Sequence, residues 1–267
     1  MTQEATPPGI DTSIPSSPRI WNYWLGGKDN YAVDREAGDA FVAMYAPIVD
    51  IARASRAFHV RAVTFLAGEA GIRQFLDIGT GLPTFNNTHE VAQGAAPESR
   101  VVYVDNDPVV LAHARSLLTG TPEGATSYID ADLRYPEAIL RSAREILDFG
   151  KPIGLMLMNI LGHVDTHELA CEIVGKLVAA LPTGSYLVVA DGTNVVDPVE
   201  FTKAIDYWNS VGSLAYHLRG PKEIGAYFEG LTLLEPGVVS CTRWRPNGEI
   251  GDIVDVDEFG GVGRKDA

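Results

Sequence analysis

Cysteine is scarce in this sequence, and no long run of hydrophobic residues is present. Its 267 residues include two cysteines, Cys171 and Cys241, which are far apart and in no Cys-x-x-Cys pair. This spacing encodes neither a disulfide framework nor a zinc ribbon, and it favours a reducing compartment. No stretch approaches the about 18 apolar residues of a membrane span, and the polar, proline-rich start lacks the apolar segment of a secretory signal. We therefore expect a cytoplasmic protein with no membrane partner.

Positive charge is also in short supply. The 21 Lys and Arg residues are outnumbered by 35 Asp and Glu residues, which gives a formal net charge of −14. A negative surface field repels the phosphates that dominate nucleic-acid affinity. We therefore expect no nucleic-acid partner, and the composition leaves the oligomeric state open.

The rest of the composition predicts one folded domain with a cap. Hydrophobic residues make up 46% of the chain, which is enough to bury a core. The first residues are proline-rich and predict an arm that is flexible or strapped onto the fold, whereas a dense aromatic segment and an amphipathic helix follow. The predicted organisation is a flexible arm (1–18), a helical cap or lid (19–70), a core (71–248) and an acidic, glycine-rich tail (249–267).

After residue 71, short apolar runs alternate with helical patterns, which is typical of βα units on a parallel sheet. Two later strand-like runs, 231–234 and 238–244, are separated by Glu-Pro-Gly and predict a hairpin or two antiparallel edge strands. The predicted fold class is therefore α/β, a Rossmann-like core whose mostly parallel sheet has an antiparallel C-terminal strand pair and helices on both faces. The predicted parallel strands are 74–78, 100–105, 126–130, 153–160 and 185–190.

The strongest local signal is the glycine turn LDIGTGLP at residues 76–83. Gly79 and Gly81 would let the backbone turn tightly and approach a ligand. A dinucleotide-binding turn would have a third glycine at position 84, where this chain has Thr84, and Asp77 would repel a pyrophosphate. A carboxylate suits instead the ammonium and sulfonium groups of S-adenosylmethionine. The turn therefore favours that cofactor over NAD.

Acidic residues also follow the next two predicted strands. Asp105 can accept two hydrogen bonds from a ribose diol, which fits both cofactors. Asp132, beside Leu133, could meet the adenine amino group while a neighbouring backbone amide meets a ring nitrogen. Three acidic strand ends in succession are more specific than one. The alternative is that they are helix caps and solvated loop carboxylates.

Histidine and arginine supply the remaining candidates. His163 follows the fourth strand, where it could accept a proton from a substrate hydroxyl or amine, with a structural role as the alternative. His167 has a metal-ligand spacing from it, but we expect His163 on a loop and therefore no metal site. Arg53, Arg56 and Arg61 are interpreted as solvated or flanking charges, with the binding of a ligand carboxylate as the alternative.

Four longer sequence motifs are spread over nearly the whole chain. LGGKDNYAVDRE, QFLDIGTGLPTFNNTHEVAQ, VVYVDNDPVVLAHAR and EPGVVSCTRWRP resemble an actinobacterial family of class I S-adenosylmethionine-dependent methyltransferases, long labelled a domain of unknown function. The resemblance implies that S-adenosylmethionine is the cofactor, with the methionine moiety at the glycine turn. One departure is Gly162, where the family pattern has His. The predicted cofactor-binding residues are Asp77, Gly79, Thr80, Gly81, Asp105, Asn106, Asp132, Leu133, Asn159 and Tyr23.

The resemblance also implies the reaction, which is methyl transfer to a small-molecule acceptor that the family pattern does not identify. In-line displacement at a sulfonium methyl needs little beyond alignment and exclusion of water. The cap, with Tyr23, Trp24 and Tyr31, is expected to close over the cofactor and to supply part of the acceptor pocket. A non-catalytic protein that binds S-adenosylmethionine or S-adenosylhomocysteine, and a nicotinamide-dependent oxidoreductase, are the alternatives.

Overall fold

Helices and strands alternate along most of the chain. The computed structural model describes residues 11–117, 120–211, 214–246, 248 and 253–266. Its helices are α1 (Ser17–Trp24), α2 (Ala32–Met44), α3 (Ile48–Gly68), α4 (Thr88–Ala95), α5 (Pro108–Leu117), α6 (Pro136–Ala143), α7 (His167–Ala180), α8 (Glu200–Val211) and α9 (Pro221–Ala226). Its strands are β1 (Gln74–Ile78), β2 (Arg100–Asp105), β3 (Ala125–Asp130), β4 (Gly154–Met158), β5 (Tyr186–Gly192), β6 (Thr232–Leu233), β7 (Val239–Ser240) and β8 (Glu258–Arg264).

The first five strands are parallel and lie in the order β3-β2-β1-β4-β5. Every residue of β1 and β5 is buried, as expected for strands that helices cover on both faces. The order reverses between β1 and β4, and in open α/β sheets such a reversal leaves a crevice at the carboxyl ends of the strands. The predicted Rossmann-like α/β fold is confirmed, and all five predicted parallel strands are present.

The antiparallel end of the sheet is present and has one strand more than predicted. β8 lies between β5 and β6 with Gly192 opposite Glu258, and β7 also pairs with β8. Of the two predicted alternatives, β6 and β7 are antiparallel edge strands and not a hairpin, and the predicted tail contains the strand β8. The glycines of β8 have a packing reason, because a Cβ at Gly260 would lie 2.6 Å from the Val189 carbonyl oxygen and one at Gly263 would lie 2.7 Å from the Phe228 ring.

Helix α3 connects the cap to the core. Its Ile51 packs in the cap cluster with residues of α1, α2 and α8, whereas Phe58 and Leu66 pack against the sheet. The cap and the core therefore share this helix, and they do not meet at the predicted boundary near residue 70. The described helices include none that is long and apolar enough to cross a membrane.

The N-terminal arm is held against α1 over its described part. Arg19 forms a buried ion pair with Asp34 at 2.9 Å, and its guanidinium donates to the backbone carbonyls of Asp11 and Ile14. These contacts favour the strapped-on alternative for residues 11–16, and residues 1–10 lie outside the described part of the chain. This contact places the arm beside the crevice at the strand ends.

Candidate functional site

A cavity of about 490 Å³ opens at the carboxyl ends of β1, β2 and β4. Its size lies within the range of about 300–1,000 Å³ that is usual for small-molecule sites. The arm, α1 and α3 form its other walls. Among the predicted cofactor-binding residues, it is lined by Asp77, Gly79, Thr80, Gly81, Asp105, Asn106 and Asn159.

The glycine turn after β1 has the backbone conformation that glycine favours. Gly79 and Gly81 have φ angles of +74° and +65°. A Cβ at Gly79 would lie 2.5 Å from Ile160 Cγ1, so this position also requires the smallest residue. The Gly79 amide donates to the Val104 carbonyl at 2.8 Å, which fixes the turn on β2. The turn therefore holds its backbone against the cavity in one conformation.

Asp105 ends β2 with its carboxylate held by the backbone. Oδ2 accepts from the Gly81 amide and Oδ1 from the Asp107 amide, both at 2.9 Å. Burial raises the pKa of Asp105, and these two amide hydrogen bonds oppose that rise. A carboxylate has about four lone-pair sites, so two remain for a ligand diol.

Asp132 and Leu133 line a side lobe of about 70 Å³ that shares Gly79, Asp105 and Asn106 with the main cavity. The Asp132 carboxylate accepts from Arg134 Nε at 3.0 Å and from Asn106 Nδ2 at 3.2 Å. The hydrogen bond from the Arg134 side chain lowers the pKa of Asp132. Asp132 thus lies at the predicted place, but most of its acceptor capacity is already used.

Asp77 is buried at the centre of a hydrogen-bonded chain that reaches α3. It accepts from Thr88 Oγ1 at 2.5 Å, and Thr88 Oγ1 lies 2.8 Å from His59 Nε2. Because the single hydroxyl proton of Thr88 goes to Asp77, His59 must donate from Nε2, which leaves Nδ1 as a lone pair. His59 Nδ1 is buried and has no hydrogen-bond partner among the described residues. Burial raises the pKa of Asp77 to about 6 and lowers that of His59 to about 3.

Arg56 lines the cavity one helical turn before His59. Burial lowers the pKa of its guanidinium, while the charges of Asp77, Tyr103 and Glu90 act in the opposite direction. In the described part of the chain, no residue forms a hydrogen bond or an ion pair with this guanidinium. Arg56 is half-buried, so its charge is partly withdrawn from water without a compensating partner, which has a cost. The structure therefore favours a ligand-binding role over the solvated interpretation.

Sequence reasoning missed the contributions of His59 and Thr88. A signal was present, because Ser55, Arg56 and His59 interrupt the apolar stripe of α3 at helical spacing. Polar residues within a buried stripe need partners: His59 has Thr88 of α4, which is bonded to Asp77 of β1, and Ser55 has Asn159.

His163 lies on a 3₁₀ turn after β4 (Leu161–His163), and it lines the cavity. Its Nδ1 is 2.8 Å from the Ala215 carbonyl oxygen, which can only accept, so Nδ1 carries the ring proton. Burial lowers the pKa of His163, so the ring is neutral at physiological pH and Nε2 carries a lone pair. A side chain at Gly162 is excluded, because a Cβ there would lie 2.4 Å from the Tyr216 ring.

The two histidines with metal-ligand spacing are not brought together. His167 lies on α7, where its Nε2 is 3.4 Å from Cys171 Sγ, whereas His163 contacts Ala215. Over the described ranges, no group of three or more His, Cys, Asp or Glu side chains is arranged to hold a metal ion.

Asn159 follows β4 in a left-handed conformation, with φ of +54°. Its Nδ2 donates to Ser55 Oγ at 2.9 Å and to Glu258 Oε1 at 3.1 Å, which uses both amide protons. The carbonyl Oδ1 of Asn159 is therefore available to a donor in the cavity. Burial raises the pKa of Glu258 to about 8.

Tyr23 is not among the residues that line the cavity, so the structure gives no support to its predicted role in binding the cofactor. Its hydroxyl donates to Asp39 Oδ1 at 2.7 Å on α2. Trp21 and Leu25 line the cavity from the same helix because residues four apart share a helix face, and Tyr23 lies between them on another face. Trp24 packs in the cap cluster instead of forming a lid over the cavity.

Comparison with known proteins identifies the family. A family model described as S-adenosyl methyltransferase matches residues 3–266. The chain belongs to this family. No protein of curated function matches the sequence.

Solved structures of similar proteins agree with this family assignment. A DUF574 family protein from Streptomyces avermitilis is 44% identical, with a TM-score of 0.90 over 96% of this chain and 99% of that chain. A Thermobifida fusca protein assigned as a methyltransferase is 40% identical, with a TM-score of 0.89 over 98% of each chain. An S-adenosylmethionine-dependent methyltransferase from Anabaena variabilis shares the fold at 16% identity, with a TM-score of 0.52 over 93% of each chain.

The cavity of this S-adenosyl methyltransferase fits its cofactor chemically. S-adenosylmethionine carries an ammonium, a carboxylate, a sulfonium and a ribose diol. The walls provide the buried carboxylates of Asp77 and Asp105, the unpaired guanidinium of Arg56 and the lone pair of His59 Nδ1. A pyrophosphate would instead face Asp77, Asp105 and Asp107, which disfavours a dinucleotide.

Proposed function

We propose that this chain is an active methyltransferase that transfers the methyl group of S-adenosylmethionine to a small-molecule acceptor. The observation that carries the proposal is the presence, in one cavity, of carboxylates suited to a cationic cofactor and of a neutral histidine with a free lone pair. These are Asp77, Asp105 and His163. S-adenosylmethionine, when bound, supplies an electrophilic methyl group on a sulfonium sulfur.

Three side chains are assigned to the amino-acid end of the cofactor. Arg56 pairs with the carboxylate, which gives its half-buried guanidinium the anionic partner that no described residue supplies. Asp77 and the Nδ1 lone pair of His59 accept from the ammonium. Because positive and negative groups alternate here, the site selects a zwitterion over a simple cation or anion.

The adenosine end is assigned to the turns after β2 and β3. Asp105 accepts from the ribose diol with the lone pairs that its two backbone amides leave free. Leu133 and Ile160 bound the side lobe with apolar side chains, which suits the faces of an adenine ring. Asp132 and Asn106 lie at the edge of the same lobe, where the exocyclic amino group of adenine would be.

His163 is assigned as the proton acceptor. Its Nδ1 proton is held by the Ala215 carbonyl, so the ring presents Nε2 as the base without a change of tautomer. As the acceptor oxygen or nitrogen bonds to the methyl carbon, its proton moves to Nε2 and then to solvent. The cap and the described arm restrict access of water, which is the other requirement of the displacement.

The proposal is tested first by binding and then by turnover. We expect calorimetry on the purified protein to show micromolar binding of S-adenosylmethionine and S-adenosylhomocysteine, and no binding of NADH. We then expect release of S-adenosylhomocysteine when a panel of small hydroxyl and amine compounds is added.

Histidine variants identify the base. His163→Gln should bind the cofactor normally but release S-adenosylhomocysteine about 100-fold more slowly, which is the usual lower limit for loss of a general base. His167→Gln, on α7 beside Cys171, is the matched control. It should change neither cofactor binding nor the rate of S-adenosylhomocysteine release. Normal cofactor binding without turnover on any compound would support the non-catalytic alternative, and binding of NADH alone would contradict the proposal.

A further inference from the structure

A second, narrower cleft continues from the cofactor cavity into the cap. It has a volume of about 50 Å³ and lies among α1, α2, α3 and α8. Ser17, Trp21, Asn159 and His163 line both spaces, so the cleft adjoins the main cavity at the base assigned above. A group that enters the cleft is therefore next to the His163 side chain.

The walls of this cap cleft are almost entirely apolar. Of the residues described along its walls, none is an Asp, Glu, Lys or Arg, in contrast to the main cavity. Phe41 and Trp208 meet edge to face with ring centroids 6.2 Å apart, so the walls are fixed by packing. The apolar lining residues are Ile20, Trp21, Trp24, Phe41, Ile48, Ile51, Phe201, Ile205 and Trp208.

The polar groups at the mouth of the cleft mainly accept hydrogen bonds. Asn159 has used both amide protons on Ser55 and Glu258, so Oδ1 is left as an acceptor. His163 has used its Nδ1 proton on Ala215, so Nε2 is a second acceptor. The groups there that can donate are the Ser17 hydroxyl and the Trp21 indole N–H. The two acceptors suit a neutral O–H or N–H donor, whereas a carboxylate would lose its hydration and be repelled by the lone pairs of both acceptors.

We propose that the cap cleft is the acceptor subsite and that it takes an uncharged O–H or N–H nucleophile with a compact apolar group beside the reacting atom. The inference rests on the proposed function. About 10–15 Å³ of such volume is enough for one water molecule, so the cleft of about 50 Å³ holds a group of about three to five non-hydrogen atoms. The donor atom then lies at Asn159 and His163, and the rest of the acceptor remains in the main cavity.

Two ligands that differ in one group test this inference. 2-Methylphenol and 2-hydroxybenzoate carry a methyl and a carboxylate, respectively, beside the same hydroxyl. We expect the S-adenosylhomocysteine-loaded protein to bind 2-methylphenol at least about tenfold more tightly, because the carboxylate would be buried without adequate donors. Tryptophan fluorescence reports the binding, since three of the four tryptophans, Trp21, Trp24 and Trp208, line the cleft.

A pair of substitutions on α8 locates the binding. Ile205→Trp places a larger side chain in the cleft and should weaken 2-methylphenol binding at least about tenfold in calorimetry, with unchanged affinity for S-adenosylhomocysteine. Tyr207 is exposed and lies two residues further on. Tyr207→Trp should change neither the affinity for 2-methylphenol nor that for S-adenosylhomocysteine. The two ligands are compared on the unmodified protein, so that comparison decides the question even if Ile205→Trp does not fold.

The outcomes separate the two proposals. If S-adenosylhomocysteine binds but 2-hydroxybenzoate binds as tightly as 2-methylphenol, or neither binds, the acceptor subsite is wrong and the proposed function stands. If S-adenosylhomocysteine itself does not bind, the proposed function is wrong and the subsite is overturned with it.

Discussion

Arg56→Met removes the half-buried guanidinium that the described part of the cavity leaves unpaired. Methionine keeps most of the apolar stem and its packing on α3 but removes the charge and its donors. A hydrogen bond to a charged group contributes about 1.5–3 kcal/mol, so we expect the affinity for S-adenosylhomocysteine to fall about 10- to 150-fold. The ligand-free protein should not lose stability, because the desolvation cost of the guanidinium disappears together with its attraction to Asp77.

Calorimetry with two ligands isolates the carboxylate contact. S-adenosylhomocysteine carries the amino-acid group, whereas 5′-methylthioadenosine has the same adenosine and sulfur without it. Arg56→Met should weaken the binding of S-adenosylhomocysteine and leave that of 5′-methylthioadenosine unchanged. Arg53→Met is the matched control, because Arg53 lies one turn earlier on α3, is exposed, and makes a surface ion pair with Asp50 at 3.6 Å that contributes little.

Two results would refute the assignment of Arg56 to the cofactor carboxylate. Equal weakening of both ligands would mean that the substitution distorts the cavity as a whole. Unchanged affinity for S-adenosylhomocysteine would mean that the carboxylate lies elsewhere and that the Arg56 guanidinium has another partner.

Three further predictions concern other parts of the site. Asp105→Ala should weaken cofactor binding by about 1.5–3 kcal/mol in calorimetry, because the ribose diol loses its charged acceptor; unchanged affinity would place the ribose elsewhere. S-adenosylmethionine binding should weaken as the pH falls below about 6, because Asp77 gains a proton and no longer attracts the ammonium; an affinity that stays constant down to pH 5 would argue against this contact. Glu258→Gln should be increasingly stabilising between about pH 4.5 and 8, because the wild-type carboxyl ionises in the unfolded chain above 4.5 but holds its proton in the fold up to about 8. This rise in the pKa of Glu258 is equivalent to at most about 5 kcal/mol of unfolding free energy. A difference in unfolding free energy between variant and wild type that does not change with pH would contradict this prediction.

The parallel half of the sheet was readable from sequence because its strands are buried on both faces. Such strands are nearly continuous apolar runs, as in 153–160, and each ends where polarity returns. The same rule located Asp77 and Asp105, since the residue at a strand end faces the crevice whatever the rest of the fold does. At these two sites the local sequence pattern alone predicts where the side chain lies in the fold.

Where local pattern and tertiary position diverge, the prediction was wrong. β8 has glycines where neighbouring side chains and backbone approach closely, so its composition is typical of a tail although it is a buried strand. Tyr23 is one of several aromatic residues on α1, and only the rotation of that helix decides which of them face the cavity. Arg56 has the spacing of a polar face, and its burial depends on the sheet packing against α3.

A crystal structure of the complex with S-adenosylhomocysteine would test the central claim most directly. We expect the homocysteine carboxylate to lie within hydrogen-bond distance of Arg56 and the homocysteine ammonium to lie at Asp77 and His59 Nδ1. We expect the ribose diol to lie at Asp105. The ligand sulfur would then face His163 and the mouth of the cap cleft. A ligand bound outside this cavity, or bound in it with Arg56 unpaired and the ribose away from Asp105, would contradict the account.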